Sequence, residues 1–102
     1  MAQLVVTYRT PTDIAAFDAH YRDVHAPLAK AIPGLRRFEV TEGPVLTPEG
    51  PSDVHLIATL YFDSLGDIAA AFASPQGQAA AGDVANFATG GASMLMFKTR
   101  EA

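Results

Sequence analysis

The sequence predicts an α+β domain in the order β-α-β-β-α-β, a four-stranded antiparallel sheet with both helices on one face. Three observations predict it. Four short runs rich in β-branched and aromatic residues (3–9, 35–45, 54–62 and 92–99) are separated by two segments with apolar residues at three- and four-residue spacing. The run 54–62 is apolar at every even position, as a strand with one face against helices should be. The whole chain is 102 residues, enough for one modest core, so 1–102 is read as a single domain.

Composition narrows the class further. Hydrophobic residues make up 49% and charged residues 18%, a balance that predicts apolar area buried against a second copy of the chain. With a net charge of -4, no basic field attracts phosphate backbones, and nucleic acid is not an expected partner. The absence of cysteine excludes disulfides, a thiolate nucleophile and thiolate-held metals. No run reaches the length of a membrane span and no basic leader precedes Gln3, so a cytoplasmic protein without a membrane partner is expected.

The elements follow in order. Gln3–Arg9 reads as a strand, and Thr10, Pro11 and Asp13 read as the cap, first position and first-turn acid of a helix. Ile14, Phe17, Tyr21, Val24 and Leu28 form its apolar stripe. Ala26 before Pro27 predicts a break or kink there, and Pro33-Gly34 a stop. Leu35–Val45 is a second strand, and the proline- and glycine-rich 46–53 a loop. Val54–Phe62 is the strongest strand; its odd positions His55, Ile57, Thr59 and Tyr61 are too apolar for a purely solvated face. Asp63-Ser64 caps a helix to Ala73, and Ser74-Pro75 restarts it through Ala79, Ala80, Val84 and Phe87 until Gly90-Gly91. Residues 92–99 close the sheet. Two such sheets packed face to face would bury the bare side and enclose a cavity.

One stretch carries a resemblance. His20-Tyr21-Arg22-Asp23-Val24-His25-Ala26-Pro27-Leu28, with Ile32-Pro33-Gly34-Leu35 behind it, resembles the signature of the EthD family of the dimeric α/β-barrel superfamily. Phe62-Asp63-Ser64-Leu65, Ser74-Pro75-Gln76-Gly77-Gln78 and Asp83-Val84-Ala85-Asn86-Phe87 are similar to its second half. The resemblance implies a ferredoxin-like subunit that dimerises through its sheet face. It also implies kinship with cofactor-free monooxygenases, cyclases and isomerases, and with an auxiliary component of an oxygenase system.

The residues that could carry chemistry gather in the same stretch. On an ideal helix His20 and His25 lie about 140° apart, so they do not form a metal pair of the i, i+4 kind and no metal is expected; no cofactor is expected either, a haem with one histidine as axial ligand being a third possibility. His25 reads either as a base or hydrogen-bond donor toward a ligand, held along an Asp18-Arg22-His25 edge, or as a cap on the carbonyls of a helix ended by Pro27. His20 reads as a second candidate or as a half-buried ring with its tip in water, and Tyr21 as core or as a hydroxyl directed into the cavity. If the odd face of 54–62 lines the barrel, His55 and Tyr61 both point inward and, with Arg22, contact substrate; otherwise His55 sits at the rim. Met94 and Met96, or else Leu95 and Phe97, line the same cavity according to register. The expected ligand is a small apolar or aromatic, quinone-like molecule. The expected function is cofactor-free oxidation, isomerisation or cyclisation by proton transfer, or else ligand carriage without catalysis.

Overall fold

The computed structural model describes residues 1–102. A four-stranded antiparallel sheet runs in the order β2-β5-β1-β6, built from β1 (Ala2–Arg9), β2 (Arg37–Val40), β5 (Val54–Phe62) and β6 (Ala92–Lys98). A two-stranded ribbon, β3 (Leu46–Thr47) with β4 (Gly50–Pro51), projects from the 41–53 segment. The helices α1 (Ile14–His20), α2 (Ala26–Lys30), α3 (Leu65–Ala73) and α4 (Pro75–Phe87) cover one face. This is the α+β arrangement predicted from the element order, and the ferredoxin-like fold that the resemblance implies. No helix is long and apolar enough to cross a membrane.

Burial follows strand alternation. Ala2, Leu4, Val6 and Tyr8 of β1 pack with Ala58, Leu60 and Phe62 of β5 under the helices. On the bare face Leu95 is 67% and Phe97 38% exposed, beside half-buried Val5, Ile57 and Tyr61. Ser64 and Ser74 cap α3 and α4 as the sequence predicts, accepting from the backbone N–H of Asp67 and Gly77. Gly77 does more than weaken its helix, because a Cβ there would strike the backbone of Ala71 where α3 turns into α4.

Three local expectations are corrected. The first helix begins at Ile14 rather than Pro11, because Asp13 caps it, its Oδ1 accepting from Ala16 N–H at 3.0 Å. Thr10 is unavailable, since its N–H and hydroxyl both donate to the Asp53 carbonyl at 2.9 and 3.0 Å. The second strand is confined to 37–40, and the expected 46–53 loop contains the β3–β4 ribbon.

The third correction matters most for the site. The helix does not break before Pro27; it widens into a π-turn over Tyr21–His25, with Ala26 still helical at φ -60 and ψ -43 and its N–H reaching back to the Tyr21 carbonyl. A wider turn moves the preceding carbonyls clear of the proline ring, which an α-turn would clash with. It also adds a residue to the turn and so advances the inward face by one. Phe17 and Tyr21 are buried as expected, but beyond them His25, Ala29 and Ile32 face the core, while Val24 is 41% exposed and Leu28 only half-buried.

Candidate active site

The π-turn exchanges Val24 for His25 on the buried face, and the core must then satisfy an imidazole. Asp83 satisfies it. Asp83 lies on the inward stripe of α4 with Gly77, Ala80 and Phe87, and is 6% exposed. Its Oδ2 accepts from His25 Nδ1 at 2.9 Å, and His20 Nε2 sits 2.9 and 3.0 Å from its two oxygens. Asn86 Nδ2 donates to Oδ1 at 3.0 Å. Burial raises the pKa of the Asp83 carboxyl, but the hydrogen bonds from Asn86, His20 and His25 outweigh it and hold the group below the ordinary carboxylate value.

An ionised carboxylate only accepts hydrogen bonds, so the proton of neutral His25 resides on Nδ1 and that of neutral His20 on Nε2. Burial pushes the His25 pKa below its ordinary value, and the pull of Asp83 only partly offsets this. His25 is therefore neutral at pH 7. Its Nε2 carries a lone pair and takes no hydrogen bond from the protein. Aromatic rings lock this geometry: Phe87 lies 4.7 Å from the His25 ring and 5.3 Å from that of His20, and Tyr21 lies 5.1 Å from His25. Tyr8, Phe17, Tyr21 and Phe87 form one continuous cluster beneath them.

His25 also lines an internal cavity between helices and sheet, walled almost wholly by apolar side chains from Leu4 and Val6 to Ile32 and Val84. The space is about 30 Å³, room for a water or two. Phe38, Phe72 and Met94 border it and are partly exposed, so these side chains separate it from solvent. Of the two registers left open for the last strand, Met94 and Met96 take the helix side, opposite Val6 and Leu4, while Leu95 and Phe97 take the bare face. Burial pushes the Tyr8 phenol up to about 12 and raises that of Tyr21 further. Both phenols remain protonated and can donate, not abstract.

The structure brings His20, Tyr21 and His25 together and leaves Arg22, His55 and Tyr61 elsewhere. The postulated Asp18-Arg22-His25 edge does not form. Arg22 is exposed and binds its neighbour Asp23 at 2.9 Å, because the widened turn points it to solvent. Asp18 instead binds His55 Nε2 at 2.7 Å. His55 and Tyr61 do not share a face. A β-bulge between Tyr8 and Arg9 pairs those residues with Leu56 and Val54, leaving His55 extra and turned against Phe17 of α1, with ring centroids 4.9 Å apart. Tyr61 is on the bare side, where its hydroxyl donates to Glu39 at 2.9 Å and Arg37 lies over its ring.

Asp83 is the functional candidate that sequence reasoning missed. A signal existed: an aspartate three residues after Ala80 and four before Phe87 occupies a core position, and a buried carboxylate requires partners.

These observations define a ferredoxin-like α+β protein in which one carboxylate orients a neutral imidazole at the wall of an apolar cavity. The chain belongs to the EthD family, whose domain profile matches residues 9–91. It is 46% identical over 95 residues to an uncharacterised 11.0 kDa protein of the thcB–thcC intergenic region of Rhodococcus erythropolis, covering 93% of this chain and 91% of that one. An ethyl tert-butyl ether D (EthD) family protein from Bacillus halodurans has a crystal structure that superimposes with a TM-score of 0.90 at 33% identity, covering 98% of this chain and 99% of its own. A dimeric ferredoxin-like protein from Thermobifida fusca shares the fold with a TM-score of 0.70 at 16% identity, over 96% of this chain and 90% of that one.

Proposed function

We propose that this protein is a cofactor-free proton-transfer catalyst acting on a small aromatic ketone or phenol, with His25 as general base. The observation that carries the reading is the 2.9 Å bond from His25 Nδ1 to buried Asp83 at the edge of an apolar cavity. That bond selects the tautomer whose Nε2 can abstract a proton, and burial keeps the imidazole unprotonated near neutrality. Tyr21 and Tyr8, held as phenols, are the donors available to a developing enolate oxygen. The enolate formed then has three fates: reprotonation at another carbon gives isomerisation, attack on a second carbonyl gives cyclisation, and electron transfer to oxygen begins oxygenation. His20 acts through Asp83 as a positioning residue. Arg22, His55 and Tyr61, placed away from the cavity, have no role in this step.

We further infer a homodimer through the bare sheet face, where Leu95, Phe97, Ile57 and Val5 offer apolar area among Gln3, Thr7 and Thr59. The dimeric relative of the same fold supports this reading. Under either reading a ligand of aromatic size enters the cavity only when Phe38, Phe72 and Met94 move aside; the rival function is a non-catalytic carrier or auxiliary protein for an oxygenase system.

Anaerobic exchange of the acidic methylene hydrogens of 2-tetralone and anthrone in deuterated buffer, followed by NMR, separates the two. Catalysis predicts acceleration above buffer that falls by about 10²-fold or more in His25→Ala. Exchange at the buffer rate, or equal acceleration by the variant, removes the catalytic reading. Carriage predicts instead that affinity for the same compounds survives His25→Ala within about tenfold.

A further inference from the structure

A second recess, of about 440 Å³, opens where α1, the bulged start of β5 and the 41–53 segment meet. Its volume is in the range of small-molecule sites, and it shares no lining residue with the His25 cavity. Its chemistry is one-sided. Thr10 commits both its N–H and its hydroxyl to the Asp53 carbonyl, Ser52 commits its N–H and hydroxyl to the Val45 carbonyl, and Pro44 and Pro51 have no N–H to offer. The wall's donors are thus largely consumed, and no lysine or arginine lines it. The one charged acceptor of the lining, Asp18, is not. Asp18 gives Oδ1 to His55 at 2.7 Å, while its Oδ2 has no protein partner and the side chain is 54% exposed. His55, seated edge-on against Phe17, holds that carboxylate in one orientation. Ile14, Val45, Val54 and Leu56 supply an apolar floor beside it.

We propose that this recess binds a small organic ammonium, its N–H groups on Asp18 and its apolar body on the floor. A pre-oriented carboxylate whose neighbouring arginine, Arg22, is already paired with Asp23 favours a donor-rich, positively charged group over a neutral or anionic one. His55 is a positioning residue here, and the β-bulge that frees it from strand pairing is what completes the site.

The test is a titration of the full-length protein followed in ¹⁵N–¹H correlation spectra, with benzylamine, benzyl alcohol and Nα-acetyl-lysine methylamide as probes at pH 7. The expected result is saturable shifts among amides of residues 41–56 with benzylammonium. The isosteric alcohol should bind roughly tenfold or more weakly, since it lacks the charge-assisted bond. Asp18→Asn should remove that preference, and added salt should weaken it. The preference of the unmodified protein for ammonium over alcohol decides the matter even if the variant fails to fold. Absence of saturation by benzylammonium up to about 10 mM, or equal binding of the alcohol, overturns the proposal. Tighter saturation by the lysine derivative would place the ammonium on a protein side chain and overturn the small-molecule assignment. Because the two cavities share no residue, any of these outcomes leaves the His25 reading standing or falling on its own assay.

Discussion

Asp83→Asn tests the central geometry in one atom. The carboxylate receives His25 Nδ1, His20 Nε2 and Asn86 Nδ2, each at 2.9 or 3.0 Å. An amide has one oxygen and one NH₂, so one of its two ends must face a donor with a donor. Asn86 is exposed and the His20 side chain is 28% exposed, so either can turn to water; the His25 side chain, 7% exposed, cannot. The loss is then the charge assistance to a buried bond plus partial frustration, about 2 kcal/mol. For a domain of this size that lowers Tm by roughly 8–16 °C. The chemical consequence is sharper. If the amide NH₂ donates to Nδ1, the His25 proton moves to Nε2 and the base is lost, so methylene-hydrogen exchange should fall by about 10²- to 10⁴-fold. Ring-¹⁵N NMR reads the tautomer directly and thermal unfolding reads the stability. An unchanged Tm together with an unchanged Nδ1–H tautomer would refute the argument that Asp83 orients His25.

Three further outcomes follow from the same structure. Acid should destabilise the fold in two stages: the lowered His25 pKa contributes stability that is present above its ordinary value of 6.5 and lost as pH falls toward the folded value. The lowered Asp83 pKa contributes stability present above 3.8 and lost below it, so urea midpoints between pH 8 and pH 3 should fall in that order, and a midpoint independent of pH above 5 would count against a buried neutral His25. The phase shift at the π-turn predicts that Ile32→Ala costs about 2–4 kcal/mol whereas Val24→Ala stays within about 0.5 kcal/mol, by urea unfolding; a larger cost at Val24 would restore a regular α-helical phase. Leu95→Glu places a charge on the β6 side of the bare face and should convert a sedimenting dimer to monomer with the helical dichroism retained; a dimer that tolerates it uses another surface.

Much of the fold was legible because its causes are local. Ser64, Ser74 and Pro75 announce α3 and α4 through bonds that span three residues, and strand 54–62 is bounded as its alternation predicts. The face of 54–62 that meets the helices was equally readable, since Ala58, Leu60 and Phe62 are buried as a period of two requires. The first helix was misread at both ends for reasons outside it. Thr10 is drawn away by Asp53, and the regular helical period assumed across Tyr21–His25 gives way to a wider turn that the neighbouring proline favours and the packed core accepts.

The candidate site divides along the same line. That His20, Tyr21 and His25 lie close together before a proline is a matter of local spacing, because they are neighbours along one helix. Which of them is oriented by a buried carboxylate depends on the packing of α4 against that helix. Asp83 lies 58 residues from His25 and 63 from His20, His55 reaches Asp18 across 37, and none of these pairings has a local periodicity to announce it. A buried polar group is satisfied by whichever partner the packing of distant elements delivers, so its partner is a property of the fold and not of the chain nearby.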